Sequence, residues 1–169
     1  IEQHKDRFLE ELFALLRIPS VSADPAFKSD VLKTAEAVKQ SLIAAGADKV
    51  EVCTTPGNPI VYGEKIIDAA LPTVLVYGHY DVQPVDPMEL WTSDPFNAVV
   101  KGDYLFARGS SDMKGQVMAS LKAVEAIVRT TGLPINIKWL VEGEEEIGSE
   151  HLGEFIKNNK KLLASDFCL

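Results

Sequence analysis

The run Thr73-Val74-Leu75-Val76-Tyr77 sets the tightest limit on the fold. It is almost wholly apolar and β-branched, with no polar alternation. A strand made from it has no face to offer water and must be covered on both sides. The rest of the chain supplies the covering layers. Phe8, Leu9, Leu12, Phe13, Leu15 and Leu16 recur at helical spacing and predict a helix over Asp6–Arg17, ended by Pro19. Val31, Leu32, Ala35, Val38, Leu42 and Ile43 predict a second over Asp30–Ala45, with Gly46 at its C-cap. Val117, Leu121, Val124, Ile127 and Val128 form the stripe of a third, over Lys114–Thr130. Shorter strands are expected at Lys49–Thr54 and Pro59–Tyr62, on either side of the turn cluster Pro56-Gly57-Asn58-Pro59. Asn97–Val100 and Tyr104–Ala107 suit a hairpin, Ile135–Val141 a strand, Leu152–Asn158 a helix, and Phe167-Cys168-Leu169 the start of a last strand. Helices and strands in this order predict a three-layer α/β/α sandwich with a mostly parallel mixed central sheet. No internal repeat or low-complexity linker divides the chain, and 169 residues suit one domain.

Charge and cysteines narrow the function. A net charge of −8 with no Lys/Arg cluster argues against nucleic acid and against anionic membrane faces. No apolar run approaches the roughly 20 residues of a membrane span. Cys53 and Cys168 form no CxxC unit, and two cysteines are few for a disulfide framework. Both are expected to be reduced core thiols of a cytoplasmic protein.

Three acidic motifs sit where strands are expected to end, the edge at which open α/β sheets bind ligands. The first is Gly78-His79-Tyr80-Asp81, directly after the buried strand. His79 and Asp81 are two apart, so in extended backbone they share a face. His79 can ligate metal through a neutral imidazole, with Asp81 fixing the ring from behind. Taken without the other motifs, the pair is better explained by an isolated His–Asp hydrogen bond at a strand end. The second is Arg108-Gly109-Ser110-Ser111-Asp112-Met113-Lys114, at the entry to the third helix. Asp112 is a helix N-cap, or a carboxylate bridging two metal ions, or both. The third is Glu142-Gly143-Glu144-Glu145-Glu146-Ile147-Gly148, after the strand ending at Val141. Three adjacent glutamates are unremarkable on a solvated loop. In a cleft they repel unless a proton or a cation neutralises them.

Taken in order, the three motifs resemble the dinuclear zinc amidohydrolases: carnosinase-type dipeptidases, glutamate carboxypeptidases, aminoacylases, and acetylornithine and succinyl-diaminopimelate deacetylases. The resemblance runs over nearly the whole chain, including Ile18-Pro19-Ser20-Val21-Ser22. Gly78–Pro84, with Trp91 and Asp94-Pro95-Phe96 after it, is most similar to the dipeptidase branch. It implies two zinc ions, with manganese or cobalt as possible substitutes. His79 would ligate one ion, Asp112 would bridge both, and Glu146 would ligate the other. Asp81 would orient His79, and Glu145 would be the general base for a zinc-activated water. Glu144 falls on a variable position and is expected to be incidental. The expected activity is hydrolysis of dipeptides or short peptides. An N-acyl-amino-acid deacylase with the same centre is the alternative, and a non-catalytic metal-binding or interaction module is a third reading. The family's five protein ligands exceed the three found here. Residues 1–169 are therefore expected to be the N-terminal part of a catalytic domain, inactive alone. The rest of that domain and a lid or dimerisation domain would lie elsewhere, and the full-length protein would be a homodimer. His4 is expected to be solvated, His151 matches no ligand position, and Asp166 is expected to cap or anchor the last strand.

Overall fold

A computed structural model describes residues 2–169. Its elements, in chain order, are α1 (Lys5–Leu16), α2 (Lys28–Ala44), β1 (Lys49–Cys53), β2 (Ile60–Lys65), β3 (Thr73–His79), β4 (Val99–Lys101), β5 (Tyr104–Phe106), α3 (Lys114–Val128), β6 (Asn136–Glu142), α4 (Leu152–Asn158) and β7 (Phe167–Cys168). The main sheet has the order β1-β2-β6-β3-β7, and β4 and β5 form a separate hairpin. β3 pairs in parallel with β6 and β7. β2 pairs antiparallel with both β1 and β6. Only β2 therefore runs against the other four strands, as a mostly parallel mixed sheet requires.

Both faces of the sheet are covered. On one, Leu15, Val31, Val38, Leu42 and Leu121 from α1, α2 and α3 pack on Val61, Trp139 and Val141. On the other, Leu152 and Phe155 of α4 meet Ile60, Tyr62, Leu75 and Leu140. Each such side chain removed from water contributes about 1.5–3 kcal/mol before the entropy of ordering it. The α/β/α layering thus follows from the strand that has no polar face. β6 is buried at every position, although its sequence contains Asn136, Lys138 and Glu142. Their polar ends are satisfied. Lys138 Nζ donates to the carbonyls of Leu162 and Ala164. The Asn136 amide accepts from Ile67 N and donates to the Asp68 carbonyl.

Two long-range ties fix the helical layer. The buried Lys114 ammonium donates to the Leu15 and Ile18 carbonyls, joining the start of α3 to the end of α1. Burial pushes its pKa down to about 7, against the weaker pull of Asp81 and Asp30. Farther along α3, the fully buried Glu125 accepts from Arg7 at 2.6 Å and from Lys122 at 2.9 Å. Lys122 also pairs with Glu11.

Three expectations need adjusting. Asp112 does not cap α3: the N-cap position is Met113, and no side chain caps it. Cys53 and Cys168 are unpaired, but Cys168 is exposed on the edge strand β7 rather than in a core. β2 extends to Lys65, past the predicted Tyr62, because Gly63 and Glu64 still pair with both neighbours and Lys65 with β6. Asp166 does anchor its strand, accepting from Thr73 N at 2.8 Å, and His4 is exposed.

Candidate metal centre

β3 and β6 run in register, with His79 beside Glu142. The loops that follow them leave the sheet together, so residues far apart in sequence meet at one edge. Gly78 allows α3 to join them: a Cβ there would lie 2.8 Å from Val117, pushing away the helix behind Asp112. The peptide between Asp112 and Met113 is cis.

His79 is buried, and its ring has two sides. Nδ1 lies 3.1 Å from the Asp81 backbone carbonyl and 3.4 Å from the Asp81 carboxylate. Nε2 faces the acids, 3.1 Å from Asp112 Oδ1 and 3.9 Å from Glu145 Oε2. Burial works against a charged ring. The Asp81 carboxylate outweighs it with help from Asp112, and in the protein alone the pKa rises to about 9. His79, Asp112 and Glu146 each offer one ligand atom, and these atoms lie within 4.8 Å of one another.

Asp81 does more than face His79. It is fully buried. Its Oδ2 accepts from Ser22 Oγ at 2.6 Å and from Glu146 N at 3.1 Å, and its Oδ1 from Glu145 N at 3.3 Å. One carboxylate thus ties the histidine strand to the glutamate loop. Gln83 Nε2 donates to Glu146 Oε2 at 2.7 Å and so orients that side chain.

The structure thus brings His79, Asp81, Asp112, Glu145 and Glu146 to one place. Sequence reasoning missed Ser22 and Gln83, although both stand inside the segments that carry the resemblance. It also took Glu144 as incidental. Glu144 is buried, accepting from Asn58 N at 2.8 Å and meeting His151 Nδ1 at 2.8 Å. No local signal separates it from its two neighbours.

One imidazole nitrogen from the end of β3 and two carboxylates from the segments before α3 and after β6 form a donor set that fits a borderline divalent ion such as zinc. An α/β/α layer with this constellation at the carboxyl ends of its strands defines a domain of the metallopeptidase type. Residues 75–167 match Peptidase family M20/M25/M40, and the chain belongs to that family. It is 35% identical over 170 residues to the Cys-Gly metallodipeptidase dug1 of Schizosaccharomyces pombe, covering 93% of this chain and 35% of that one. The solved human carnosine dipeptidase 1 superposes with a TM-score of 0.92 at 31% identity, over 99% of this chain and 38% of that one. The M20 metallo-carboxypeptidase Sso-CP2 of Sulfolobus solfataricus gives 0.88 at 39% identity, over 96% and 36%. The chain therefore spans about a third of the length of the relatives it matches. Among the described residues, no helix is long and apolar enough to cross a membrane.

Proposed function

We propose that these residues carry the catalytic base and three of the metal ligands of a dipeptidase. The observation behind this reading is the convergence of His79, Asp112 and Glu146, with ligand atoms within 4.8 Å of one another and the Glu145 carboxylate beside them. His79 would hold one zinc ion, Glu146 a second and Asp112 both, with manganese or cobalt as substitutes. Bound there, the ions would supply Lewis acidity, polarising a peptide carbonyl and making a water molecule acidic.

The chain's own residues do the rest. Glu145 lies outside the ligand triad, its side chain 44% exposed and open to substrate. It takes the proton of the attacking water and delivers it to the leaving amine. Asp81 holds the His79 ring and, through the amides of Glu145 and Glu146, fixes base and ligand relative to it. The scheme needs no serine or cysteine nucleophile. Ser110 donates to the Ala107 carbonyl within its turn. The two further ligands that the resemblance implies would come from outside these residues, as part of a homodimeric protein with its own lid domain. The unpaired Cys53 and Cys168 fit a cytoplasmic location. The names of two relatives, a Cys-Gly metallodipeptidase and a Beta-Ala-His dipeptidase, specify dipeptides as the class to try.

The test is the metal content of the intact protein and its hydrolysis of Cys-Gly and β-alanyl-histidine, with Glu145→Gln alongside. The variant is expected to keep its metal and lose roughly 10²–10⁴-fold in kcat, the usual span for a general base. Loss of metal in the variant would make Glu145 a ligand instead. A wild-type protein without metal and without hydrolysis would overturn the reading.

A further inference from the structure

We infer that Glu144 is a positioning residue, which with Asn58 and His151 clamps the loop bearing Glu145 and Glu146 in its working position. The inference rests on the roles proposed above for those two glutamates. Three observations carry it. First, Glu144 turns away from its neighbours: Glu145 and Glu146 face His79, while the Glu144 side chain is 7% exposed and points into the protein. A buried carboxylate beside two others is unfavourable unless donors compensate it, so its partners matter.

Second, those partners come from both sides. Asn58 N donates to Oε1 at 2.8 Å, and the Asn58 side-chain amide donates to the Gly143 carbonyl at 2.7 Å. Two adjacent residues of the loop are thus held by one residue of the turn between β1 and β2. Asn58 is itself held by Lys28 Nζ at 2.7 Å from the first turn of α2. On the far side, Oε2 meets His151 Nδ1 at 2.8 Å, at the start of α4. The single-turn helix Glu145–Ile147 is thereby pinned at its N-cap residue, Glu144, to layers on both faces of the sheet.

Third, the turn is shaped for Glu144. A Cβ on Gly57 would fall 1.7 Å from Glu144 Oε1 and 2.7 Å from His151 Nδ1. Glycine at position 57 leaves the space that the carboxylate and imidazole occupy. Gly57→Ala therefore expels Glu144 without changing it.

The experiment uses the intact protein and four variants: Glu144→Ala, Glu144→Gln, Gly57→Ala and His151→Ala. Three readouts are compared. Amide hydrogen exchange over residues 143–149 is followed with the metal removed. Zn²⁺ affinity is measured by chelator competition, and kcat and KM on a dipeptide. Glu144→Ala and Gly57→Ala are expected to speed exchange about tenfold, the loss of roughly one net hydrogen bond. They should weaken Zn²⁺ binding about 10- to 100-fold, as the loss of groups that orient metal ligands does, and lower kcat while KM stays within a few-fold. Glu144→Gln keeps an acceptor for Asn58 N but sets its NH₂ group against His151 N, which donates to Oε2 at 3.4 Å, so it should restore the Asn58 side of the clamp and part of each loss. His151→Ala should fall between.

Unchanged exchange in both Glu144→Ala and Gly57→Ala overturns the clamp. A change confined to KM makes Glu144 a substrate contact and also overturns it. Damage in Glu144→Gln equal to that in Glu144→Ala shows that the retained bond from Asn58 N holds nothing, and overturns it as well. Should Glu144→Ala fail to fold, Gly57→Ala against Glu144→Gln decides alone. The exchange readout needs neither metal nor activity. A wild-type protein that binds no Zn²⁺ therefore sinks the dipeptidase reading while the clamp is still judged.

Discussion

Replacing Asp81 by Asn tests the centre at its most connected point. The change keeps size and shape, so the cost is chemical. Two donors meet each oxygen: His79 Nδ1 at 3.4 Å and Glu145 N at 3.3 Å on Oδ1, Ser22 Oγ at 2.6 Å and Glu146 N at 3.1 Å on Oδ2. An asparagine must place an NH₂ group at one of these sites. The Ser22 hydroxyl can rotate and become an acceptor, but a backbone N–H cannot. Either orientation therefore leaves one of the two loop amides facing a donor. Asp81 is fully buried, so water does not relieve the clash. A buried donor left unsatisfied costs about 1–3 kcal/mol, and a lost charge-assisted bond about 1.5–3. With some relaxation, we expect a loss of about 2–4 kcal/mol. For a domain of this size that lowers Tm by roughly 4–16 °C. Urea and thermal unfolding of the metal-stripped protein measure it, and Zn²⁺ affinity should fall about 10- to 100-fold in parallel. Asp81→Asn within 0.5 kcal/mol of wild type, with Zn²⁺ affinity unchanged, would mean that the carboxylate does not hold the loop.

Two further outcomes follow from ionisation. Raised to about 9, the His79 imidazole carries a proton that a metal must displace. Apparent Zn²⁺ affinity, corrected for the chelator, should therefore rise about tenfold per pH unit between pH 6 and 8; a flat profile would refute this assignment. The Glu125 carboxyl is pushed up by burial, but hydrogen bonds from Arg7 and Lys122 outweigh that and hold it below its ordinary value of 4.5. A depressed folded pKa contributes stability above the unfolded value, and that stability is lost as pH falls through the folded one. Glu125→Gln should thus cost about 1–3 kcal/mol in urea unfolding at pH 7, with the deficit shrinking below pH 4.5; a deficit independent of pH would place the cost in packing.

The legible features were those written in short-range patterns. The unalternating run in β3 announced a doubly covered strand, and the stripes of α1, α2 and α3 announced the layer above it. The convergence of His79, Asp112 and Glu146 was foreshadowed by residue type and by placement just beyond a predicted strand or before a predicted helix, while the choice of Glu146 among three adjacent glutamates came from the family resemblance. What stayed hidden depends on contacts across the chain. The reach of Asp81 to the amides of Glu145 and Glu146 spans more than sixty residues, and backbone donors carry no side-chain identity to read. Asp112 looked like a helix cap because a cap and a carboxylate turned toward His79 can share a residue type and a position. Only the path of the chain into α3 distinguishes them. Cys168 looked like a core thiol for its chemistry, yet its exposure depends on which strand lies outermost.

The three glutamates show how such ambiguity resolves physically. Adjacent like charges in a cleft call for compensation, and the fold supplies it unevenly. Glu144 is turned inward and meets a backbone amide and His151. Glu145 and Glu146 are turned outward, where Asp112 joins them around the single imidazole of His79. A protonated His79 answers only one of those three carboxylates, and Asp81 behind it is already engaged by loop amides and Ser22. The remaining negative charge is held close by donors that fix the backbone without neutralising it. That arrangement is costly for a bare acidic loop and favourable for one that receives divalent cations. The same residue type is thus turned inward as a tether at Glu144 and outward, toward His79 and Asp112, at Glu145 and Glu146, as the proposed roles of base and ligand require.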